Sequence, residues 1–510
     1  MSDGPTDIGP VPEVGSDLSA GPAQPPAASP GQSPAAGPAQ PPAASPGGGA
    51  LPDVMEMLRS KEYIKLLVLA AAIGVPVSAI AYAYLLAVNK LQEFFFTTLP
   101  SDLGFQETPM WWPIPLLILA GVLVSLTLTY LPGNGGHEPA EGFQTGAPPL
   151  PIELPSAFFA SFATLVLGIV LGPEAPLIAI GGGLGVLAVH LAAKDAPPAA
   201  ATVMAAAGSF AAVSALLGSP MVAAFLLMEA AGIGGAMLGL ILVPGLLAAG
   251  IGTLIFVGLN SLTGLGTFSL SIPNLPVFTT PTVALFFWAL AIGVLASFVG
   301  TAIRLGGLAL QAIVVRNRLV WTPVAGLAVA LAAIAFAELT GKGPENVLFS
   351  GQDALPALLS QASTWTVGAL IVLAIAKSVA YAFSLSGFRG GPVFPAMFVG
   401  AAIGVAGSHL PGLPLVPAVA MGIGAMCSVM LRLPLTSTML AVLLFSSDGL
   451  SVTPLVIVAV VVAYVLGARL PQHPSDLRWS KAARAAGPAD LSAADGGAPL
   501  TPTASNAGGS

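Results

Sequence analysis

Residues 172–191 read GPEAPLIAIGGGLGVLAVHL, and residues 391–410 read GPVFPAMFVGAAIGVAGSHL. Both fit the pattern G-P-x-x-P-x4-G-x3-G-x4-H-L, and every fixed position is displaced by the same 219 residues. Each copy places Gly and Pro at the start of a long apolar run, which is typical of a helix N-terminus. In a membrane protein, two such interrupted helices, one in each half, predict an inverted repeat with a binding site at the repeat interface.

The composition is that of an integral membrane protein. Of 510 residues, 55% are hydrophobic and 8% are charged, and the mean hydropathy is +0.88; a soluble domain has about 25% charged residues. Apolar stretches of roughly 20 residues, each long enough to span a bilayer, recur from 63 to 467. With 60 glycines and 48 prolines, we expect an all-α polytopic membrane protein with many tilted and broken helices.

The same sequence argues against several kinds of site. Cys427 is the single cysteine, so it forms neither an intrachain disulfide nor a cysteine metal centre. No cofactor fingerprint and no basic nucleic-acid patch stands out. We therefore predict no cofactor, no metal site and no nucleic-acid partner. The net formal charge of −7 is spread too thinly to indicate a charged partner.

Composition also divides the chain into segments. Residues 1–52 are rich in Pro, Ala, Gly and Ser and contain the stretch AGPAQPPAASPG twice, which indicates a disordered arm. The remaining predicted segments are a first membrane repeat at 53–259, a connecting loop at 260–280, a second membrane repeat at 281–473 and a disordered tail at 474–510.

Within the second repeat, separate apolar segments are expected at 281–301 and at 305–315. Lys and Arg residues flank the first and the last apolar segment, which predicts that both termini are cytoplasmic and that the protein lies in the cell membrane. The pairs Gly181/Gly185 and Gly400/Gly404 have the small-xxx-small spacing of closely packed membrane helices.

Glu174 is the candidate residue with the most specific position. It follows Pro173 at the opening of an apolar helix, where unpaired N–H groups and the helix dipole favour an anion. A first-turn acid commonly does no more than stabilise its own helix. An ionisable group at membrane depth is costly, by about 2.5–3.5 kcal/mol on insertion scales, and such groups usually serve function. A carboxylate there can occupy an anion site and leave it when protonated.

Other polar residues are each compatible with more than one interpretation. In the glycine-rich stretch GNGGHEPAEG at 133–142, Asn134 can donate an amide and Gly135 allows close backbone approach, although an ordinary loop would look similar. Glu229 is expected either to cap a helix end or to lie on a proton path. Lys377 is expected to snorkel, to pair with an acid or to attract anions. Arg389 either adds positive potential near the second helix start or anchors at the membrane edge.

These motifs together resemble the CLC family of chloride channels and chloride/proton exchangers, over residues 63–470. The family's three helix-start motifs are matched in order by GNGGH at 133–137, GPEAP at 172–176 and GGPVFP at 390–395. The stretch PLT at 434–436 adds a fourth match. The resemblance implies the inverted-repeat CLC-type fold and a homodimer with a separate pathway in each subunit.

The resemblance also implies roles for individual residues. Glu174 matches the gating glutamate, and Glu229 matches a position near the proton path. The expected anion-binding positions are Asn134, Gly135, Gly172, Pro173, Ala175, Gly391, Val393 and Phe394.

Three departures from the family pattern leave the anion selectivity and the transport mode open. Pro392 has no N–H, so one backbone contact expected in the family is missing. Ala230 stands where proton-exchanging relatives often carry a second glutamate. No tyrosine follows Tyr464, so the residue that closes the inner side in the family is unaccounted for.

The sequence thus predicts transport of chloride or a similar small anion through a lipid bilayer, with protons as a further partner if the protein is an exchanger. A channel and a proton-coupled exchanger remain open. Two alternatives are transport of another anion, such as fluoride or nitrate, and an intramembrane hydrolase. The hydrolase needs a nucleophile beside a base, and no serine motif lies near the four histidines. We therefore expect a protein that is not an enzyme.

Overall fold

The computed structural model describes residues 59–143, 150–192, 198–232, 236–264, 276–278, 280–445 and 449–476. Within these ranges all regular secondary structure is helical, apart from one isolated β-bridge. The predicted arm at 1–52 and residues 477–510 of the predicted tail lie outside the described residues.

The first half of the described chain contains seven numbered helices. They are α1 (Lys61–Glu93), α2 (Pro113–Tyr130), α3 (Leu154–Val166), α4 (Glu174–Ala192), α5 (Pro198–Leu217), α6 (Pro220–Ala231) and α7 (Ala236–Thr263). α1 continues through a π-helical turn, Phe94–Thr98, into the short helix Leu99–Asp102. α7 extends to Thr263, four residues beyond the predicted end of the first repeat at residue 259.

The second half also contains seven numbered helices. They are α8 (Val283–Val314), α9 (Arg318–Thr340), α10 (Val367–Gly387), α11 (Val393–Gly407), α12 (Leu415–Leu431), α13 (Pro434–Leu444) and α14 (Gly449–Arg469). A short helix, Ala354–Ser360, lies between α9 and α10. α12 is buried along its length from Val416 to Leu431, so it forms the centre of this half.

Nine helices in the described ranges are long and apolar enough to cross a membrane, judged by length and composition. The shorter apolar helices include α6, α11, α12 and α13. Their starts have recognisable sequence causes: Ser219 caps α6 through the Val222 N–H, and prolines open α6 and α13. The protein is a multi-pass α-helical membrane protein, as predicted.

The two halves repeat the same close helix contact. A Cβ atom added at Gly181 of α4 would lie 2.4 Å from the Gly208 carbonyl oxygen of α5. A Cβ atom added at Gly400 of α11 would lie 2.4 Å from the Gly422 carbonyl oxygen of α12. The tight contacts predicted from the glycine spacing are therefore confirmed, and they occur at equivalent positions of the two repeats.

The predicted break between segments 281–301 and 305–315 is wrong. α8 is one continuous helix across this region. Its glycines serve packing: a Cβ atom at Gly300 would lie 2.7 Å from the Val429 side chain of α12, and one at Gly307 would lie 3.0 Å from Leu385 of α10. Packing against these neighbours holds the helix together where polar and small residues interrupt the apolar run.

α3 ends at Val166, eight residues before α4 begins at Glu174. Gly168 has a φ of +92°, a left-handed conformation that ends the helix. The chain then runs without helix from Leu167 to Pro173 and delivers Gly172 to the second half of the molecule. This non-helical stretch at the start of α4 is what allows the two repeats to touch through their backbones.

We expect Gly181→Ala and Gly400→Ala to destabilise the protein by similar amounts, about 1–3 kcal/mol each, because each new methyl group collides with a backbone carbonyl. Gly250→Ala is the matched control, since a Cβ atom there meets nothing within 4 Å. The unfolding midpoints of the purified variants in detergent measure the effect. Equal midpoints for all three variants would contradict the packing described above.

Candidate functional site

Two glycines hold the repeated helix starts side by side. The Gly172 N–H donates to the Gly391 carbonyl over 2.8 Å, and the Gly391 N–H donates to the Gly172 carbonyl over 2.6 Å. The two residues occupy the same position in the two quoted stretches, and their contact is an antiparallel bridge. The repeats therefore meet through equivalent residues, at the interface where the sequence predicts a binding site.

Neither glycine of this bridge has room for a side chain. A Cβ atom at Gly172 would lie 2.1 Å from Oε2 of Glu174. A Cβ atom at Gly391 would lie 2.1 Å from Cδ of the same glutamate. The Glu174 carboxyl group thus lies directly against the bridge, and the absence of side chains at the two glycines makes its space.

Glu174 reaches across the repeat interface. Its side chain is fully buried, and Oε1 accepts a hydrogen bond from the Val393 N–H at the start of α11. Val393 is 219 residues further along the chain, so it is the repeat equivalent of Glu174 itself. The N-terminal N–H groups and the dipole of a helix favour an anion. The carboxylate therefore occupies the place where these donors would hold one.

The second oxygen of this carboxylate is unusual. Oε2 of Glu174 is buried and has no hydrogen-bond partner among the described residues. Leaving a buried polar atom unpaired costs about 1–3 kcal/mol, and more if the group is charged. A carboxylate in this position competes with any other anion for the Val393 N–H, and protonation weakens its hold on that donor.

The start of α11 offers few donors. Pro392 has no N–H, and its carbonyl accepts a hydrogen bond of 2.8 Å from the Tyr381 hydroxyl of α10. Phe394 is buried. Sequence reasoning missed Tyr381, which is fully buried; its only signal is its place on an apolar helix, 11 residues before Pro392.

Two further predicted anion-binding residues, Pro173 and Ala175, lie at the start of α4. Pro173 is buried and its carbonyl accepts from the Leu177 N–H over 3.1 Å, within the first turn. Ala175 follows Glu174 and is partly exposed. The structure therefore brings together six of the predicted site residues around the bridge: Gly172, Pro173, Glu174, Ala175, Gly391 and Val393.

The predicted turn at 133–137 lies in a different environment. Asn134 is exposed, and its carbonyl accepts a 2.9 Å hydrogen bond from Nε of Arg389. Gly135 is buried with a φ of +71°, and its N–H donates to the Ser156 hydroxyl over 3.3 Å. The Gly135 donor expected to face an anion is thus paired within the protein.

Arg389 connects this turn to the second helix start. It is 4% exposed and stands two residues before Gly391. Its guanidinium donates to the Asn134 carbonyl and, over 3.1 Å, to the Glu138 carboxylate. The expectation of a membrane-edge anchor is wrong, because the side chain is buried and ties the first half to the second.

Glu138 is the centre of a small charged cluster. Arg318 lies 3.6 Å from it, and the Gln311 amide donates to its other oxygen. One carboxylate therefore faces two guanidinium groups, those of Arg318 and Arg389. The cluster joins α8, α9 and the segment before α11, so it fixes the backbone that leads into the glycine bridge.

Lys377 does not snorkel. Its ammonium is fully buried and donates to the Leu348 carbonyl over 2.8 Å and to the Phe349 carbonyl over 3.0 Å. It also lies 4.6 Å from the centre of the Phe398 ring of α11. Phe349 has a φ of +59°, rare for a residue with a side chain. Lys377 therefore holds a strained turn against the second helix start.

Glu229 makes the contacts of a helix cap. Its Oε1 accepts from the Leu435 N–H over 3.0 Å, and its Oε2 accepts from the Thr436 N–H and hydroxyl over 2.8 and 2.7 Å. These donors belong to the first turn of α13, inside the predicted PLT match. The carboxylate thus supplies the cap that α13 lacks in its own sequence.

A cavity of about 610 Å³ leads toward the bridge. Leu171 and Pro173 contribute to its wall, next to Glu174. Further wall residues come from α1 and from the turn that Lys377 holds, and they include the acids Glu93, Glu345 and Asp353. Desolvation by the surrounding cavity wall raises the pKa of the Asp353 carboxyl. The cavity therefore forms a vestibule beside the start of α4, with a largely apolar wall that includes three acids.

The described histidines and acids are dispersed. In the described ranges no group of three or more His, Cys, Asp or Glu residues could hold a metal ion. The rings of His137 and His409 bond to the carbonyls of Gly142 and Val405. No serine is paired with a histidine in the part of the chain that the structure describes.

Comparison with known proteins agrees with the fold. The family model described as voltage gated chloride channel matches residues 48–242 and 133–468. A putative ion-transport protein, YfeO, from Escherichia coli (strain SMS-3-5 / SECEC) is 28% identical over 423 residues, which are 81% of this chain and 95% of that protein.

Two solved structures share the architecture. A slow cyanobacterial Cl⁻/H⁺ antiporter superposes with a TM-score of 0.64 at 18% identity, covering 79% of this chain and 94% of the other. A CLC-type fluoride/proton antiporter superposes with a TM-score of 0.58 at 19% identity, covering 81% and 97%. These likenesses confirm the predicted inverted-repeat fold.

We expect Lys377→Met to destabilise the protein, because it leaves the Leu348 and Phe349 carbonyls without a donor, at about 1–3 kcal/mol for each buried group. Lys90→Met is the matched control, since the Lys90 side chain is 58% exposed and pairs only with Glu93 at the surface. Unfolding midpoints in detergent measure both. If Lys377→Met unfolds at the same temperature as the control, the hydrogen bonds from Lys377 to the strained turn do not stabilise the protein.

Proposed function

The chain belongs to the voltage-gated chloride channel family, and we propose that it carries chloride or a similar small inorganic anion across the membrane. The observation that supports this most directly is the Glu174 carboxylate on the Val393 N–H, fully buried at the bridge between the two repeats. A helix start that accepts a carboxylate also accepts a free anion, because both are bound by N–H groups and the helix dipole.

In this proposal Glu174 is the gate. While the carboxylate accepts from Val393, it excludes an anion from that donor. When the carboxylate is protonated, it loses its charge and releases the donor. Low pH on the side of the vestibule should therefore increase transport. The unpaired Oε2 supports this role, since the closed position leaves part of the group unsatisfied.

The other predicted anion-binding residues divide into two groups. The N–H groups of Gly172 and Gly391 donate to each other's carbonyls in the bridge. In this proposal the two glycines therefore shape the site, and other residues donate hydrogen bonds to the anion. Val393, Phe394 and Ala175 then supply the backbone around the anion, while Pro173 shapes the opening of α4. Asn134 and Gly135 act through Arg389, which connects their turn to the second helix start.

The transported anion and the coupling to protons are the finer part of the proposal. Pro392 removes one donor from the second helix start, and a smaller donor set supports testing fluoride beside chloride. The solved relatives include antiporters for each of these anions with protons. Glu229, whose carboxylate is held by three donors of α13, acts in this proposal as a cap and not on a proton path.

Two expectations from the family complete the proposal. We infer a homodimer with one pathway in each subunit, and cytoplasmic termini, because the resemblance and the flanking Lys and Arg residues support these assignments. Cross-linking in native membranes tests the dimer, and labelling of a terminal tag from either side tests the orientation.

We expect Glu174→Gln and Glu174→Ala to transport anions at a rate that no longer depends on pH between about 4 and 7, because neither side chain titrates. Glu174→Ala should also bind the anion more tightly, since the Val393 N–H has no competing acceptor. Anion flux from proteoliposomes across a pH series measures both effects.

The control for this series is Glu345→Gln. It removes a carboxylate from the wall of the same cavity but leaves the bridge unchanged, so it should keep the pH dependence of the wild type. A Glu174→Gln variant with the wild-type pH profile would rule out Glu174 as the gate. Loss of the profile in the Glu345→Gln control would place the titrating group in the vestibule.

Simultaneous measurement of anion and proton movement in proteoliposomes decides the transport mode. We expect Glu174→Ala to uncouple any proton flux, because the titratable carboxyl group at the bridge is gone. A fixed proton-to-anion ratio in the wild type identifies an exchanger, and anion flux without protons identifies a channel. Absence of chloride, fluoride and nitrate flux from folded protein would contradict the proposed function.

A further inference from the structure

A second group of basic side chains lies away from the bridge. Arg304 of α8 is 6% exposed, and its NH1 group donates to Oε1 of Gln472 over 3.2 Å. Its Nε is buried and has no partner among the described residues. A guanidinium has five N–H donors and no acceptor, so this buried side chain has unused donating capacity.

A second guanidinium converges on the same oxygen. Arg432 is exposed and ends α12 with a φ of 60°, and its NH2 group donates to Oε1 of Gln472. The two arginines repel each other electrostatically. One neutral amide oxygen therefore stands between two positive charges, where a negative charge would be more stable.

No carboxylate balances this pair in the described part of the chain. The salt bridges there involve Lys90, Arg318 and Arg389, and none involves Arg304 or Arg432. The nearest acid along the chain is Asp476. It accepts from the backbone N–H groups of Gln472 and His473 over 2.9 and 2.8 Å and so is committed to its own turn.

Gln472 is held so that its oxygen faces the arginines. Its amide nitrogen donates to the carbonyls of Gly467 and Leu470, over 2.7 and 2.6 Å, at the end of α14. The carboxamide therefore has a fixed orientation and presents one acceptor to both guanidinium groups. An anion at the position of this oxygen would accept hydrogen bonds from the same two guanidinium groups.

We propose that Arg304, Arg432 and Gln472 form a second anion site, in which the Gln472 amide oxygen holds the place of the bound anion. The ligand is a small inorganic anion or the phosphate of a lipid headgroup, because both present negative charge to paired guanidinium groups. This proposal does not depend on transport at the bridge, since binding is measurable without flux.

The position of the site connects it to the rest of the fold. Ser297 of α8 donates to the Ala463 carbonyl of α14, and Arg304 lies two turns further along α8, above the end of α14. Gln311, another two turns along, donates to Glu138, which holds Arg389. One face of α8 thus carries both the arginine site and the cluster that leads to the second helix start, about 10 Å apart along the helix.

Thermal unfolding of the purified protein in detergent tests the site. Chloride or inorganic phosphate replaces gluconate at constant ionic strength, so that screening is unchanged. We expect the wild-type midpoint to rise with the anion, because a ligand of the folded state stabilises it. Arg432→Gln should raise the half-maximal anion concentration at least about tenfold, as expected for one lost charge-assisted hydrogen bond.

Gln472→Glu is the sharper variant. It places a carboxylate where the amide oxygen lies, so it should raise the midpoint in gluconate and remove the further rise on adding anion. Arg469→Gln is the matched control, because it removes an exposed positive charge at the end of α14 that has no part in the cluster. It should keep the wild-type response.

The two sources of the ligand are separated by a lipid arm. Delipidated protein is mixed with micelles of phosphatidylglycerol or of phosphatidylcholine, without chloride or phosphate. Stabilisation by phosphatidylglycerol alone identifies a headgroup, and stabilisation by inorganic phosphate or chloride identifies a free anion. A response that Glu174→Ala strengthens and Arg432→Gln leaves unchanged belongs to the bridge and overturns the second site, as does a Gln472→Glu variant without a raised midpoint in gluconate.

Discussion

The hydrogen-bonded contact between Gly172 and Gly391 is the constraint on which the rest of the site depends. Within a bilayer, backbone N–H and C=O groups must be paired inside the protein. Gly172 and Gly391 precede α4 and α11, so their backbone groups have no partners within a helix. Each glycine satisfies the other, which joins the repeats through equivalent residues. The same contact requires glycine on both sides and so leaves the space that the Glu174 carboxyl group fills.

Charged groups that are buried or partly buried in this fold are paired mainly with backbone. The Lys377 ammonium donates to the two carbonyls of a strained turn, and the Glu229 carboxylate accepts from the first N–H groups of α13. The Arg389 guanidinium donates hydrogen bonds both to a backbone carbonyl of the first half, that of Asn134, and to the Glu138 carboxylate. Helix breaks expose backbone groups, and charged side chains are the strongest partners available to them. Broken helices and buried charges therefore occur together in this fold.

The sequence predicted what depends on local pattern and missed what depends on distant partners. The repeated stretches predicted two helix starts, and the glycine spacing predicted their packing. The break that was wrongly predicted between 281–301 and 305–315 falls at Arg304. Nothing nearby in the sequence shows that this charged residue has a partner, Gln472, 168 residues away. The snorkelling expected of Lys377 failed for the same reason, since its carbonyl partners are about 30 residues away. Tyr381 gave no motif at all. Periodicity identifies helices, whereas the partner of a buried polar group is a property of the tertiary structure.

In both proposed anion sites a side-chain oxygen of the protein accepts hydrogen bonds from the donors proposed for the anion, and the two oxygens differ in their chemistry. At the bridge, a side-chain oxygen of Glu174 occupies an anion's donor, and at the end of α14 an amide oxygen of Gln472 does the same. A carboxylate changes its charge with pH, whereas a carboxamide does not titrate. Protons can therefore displace the occupant of the first site, and only a competing anion can displace that of the second. On these proposals, a single chain combines a donor set controlled by pH with one controlled by anion concentration.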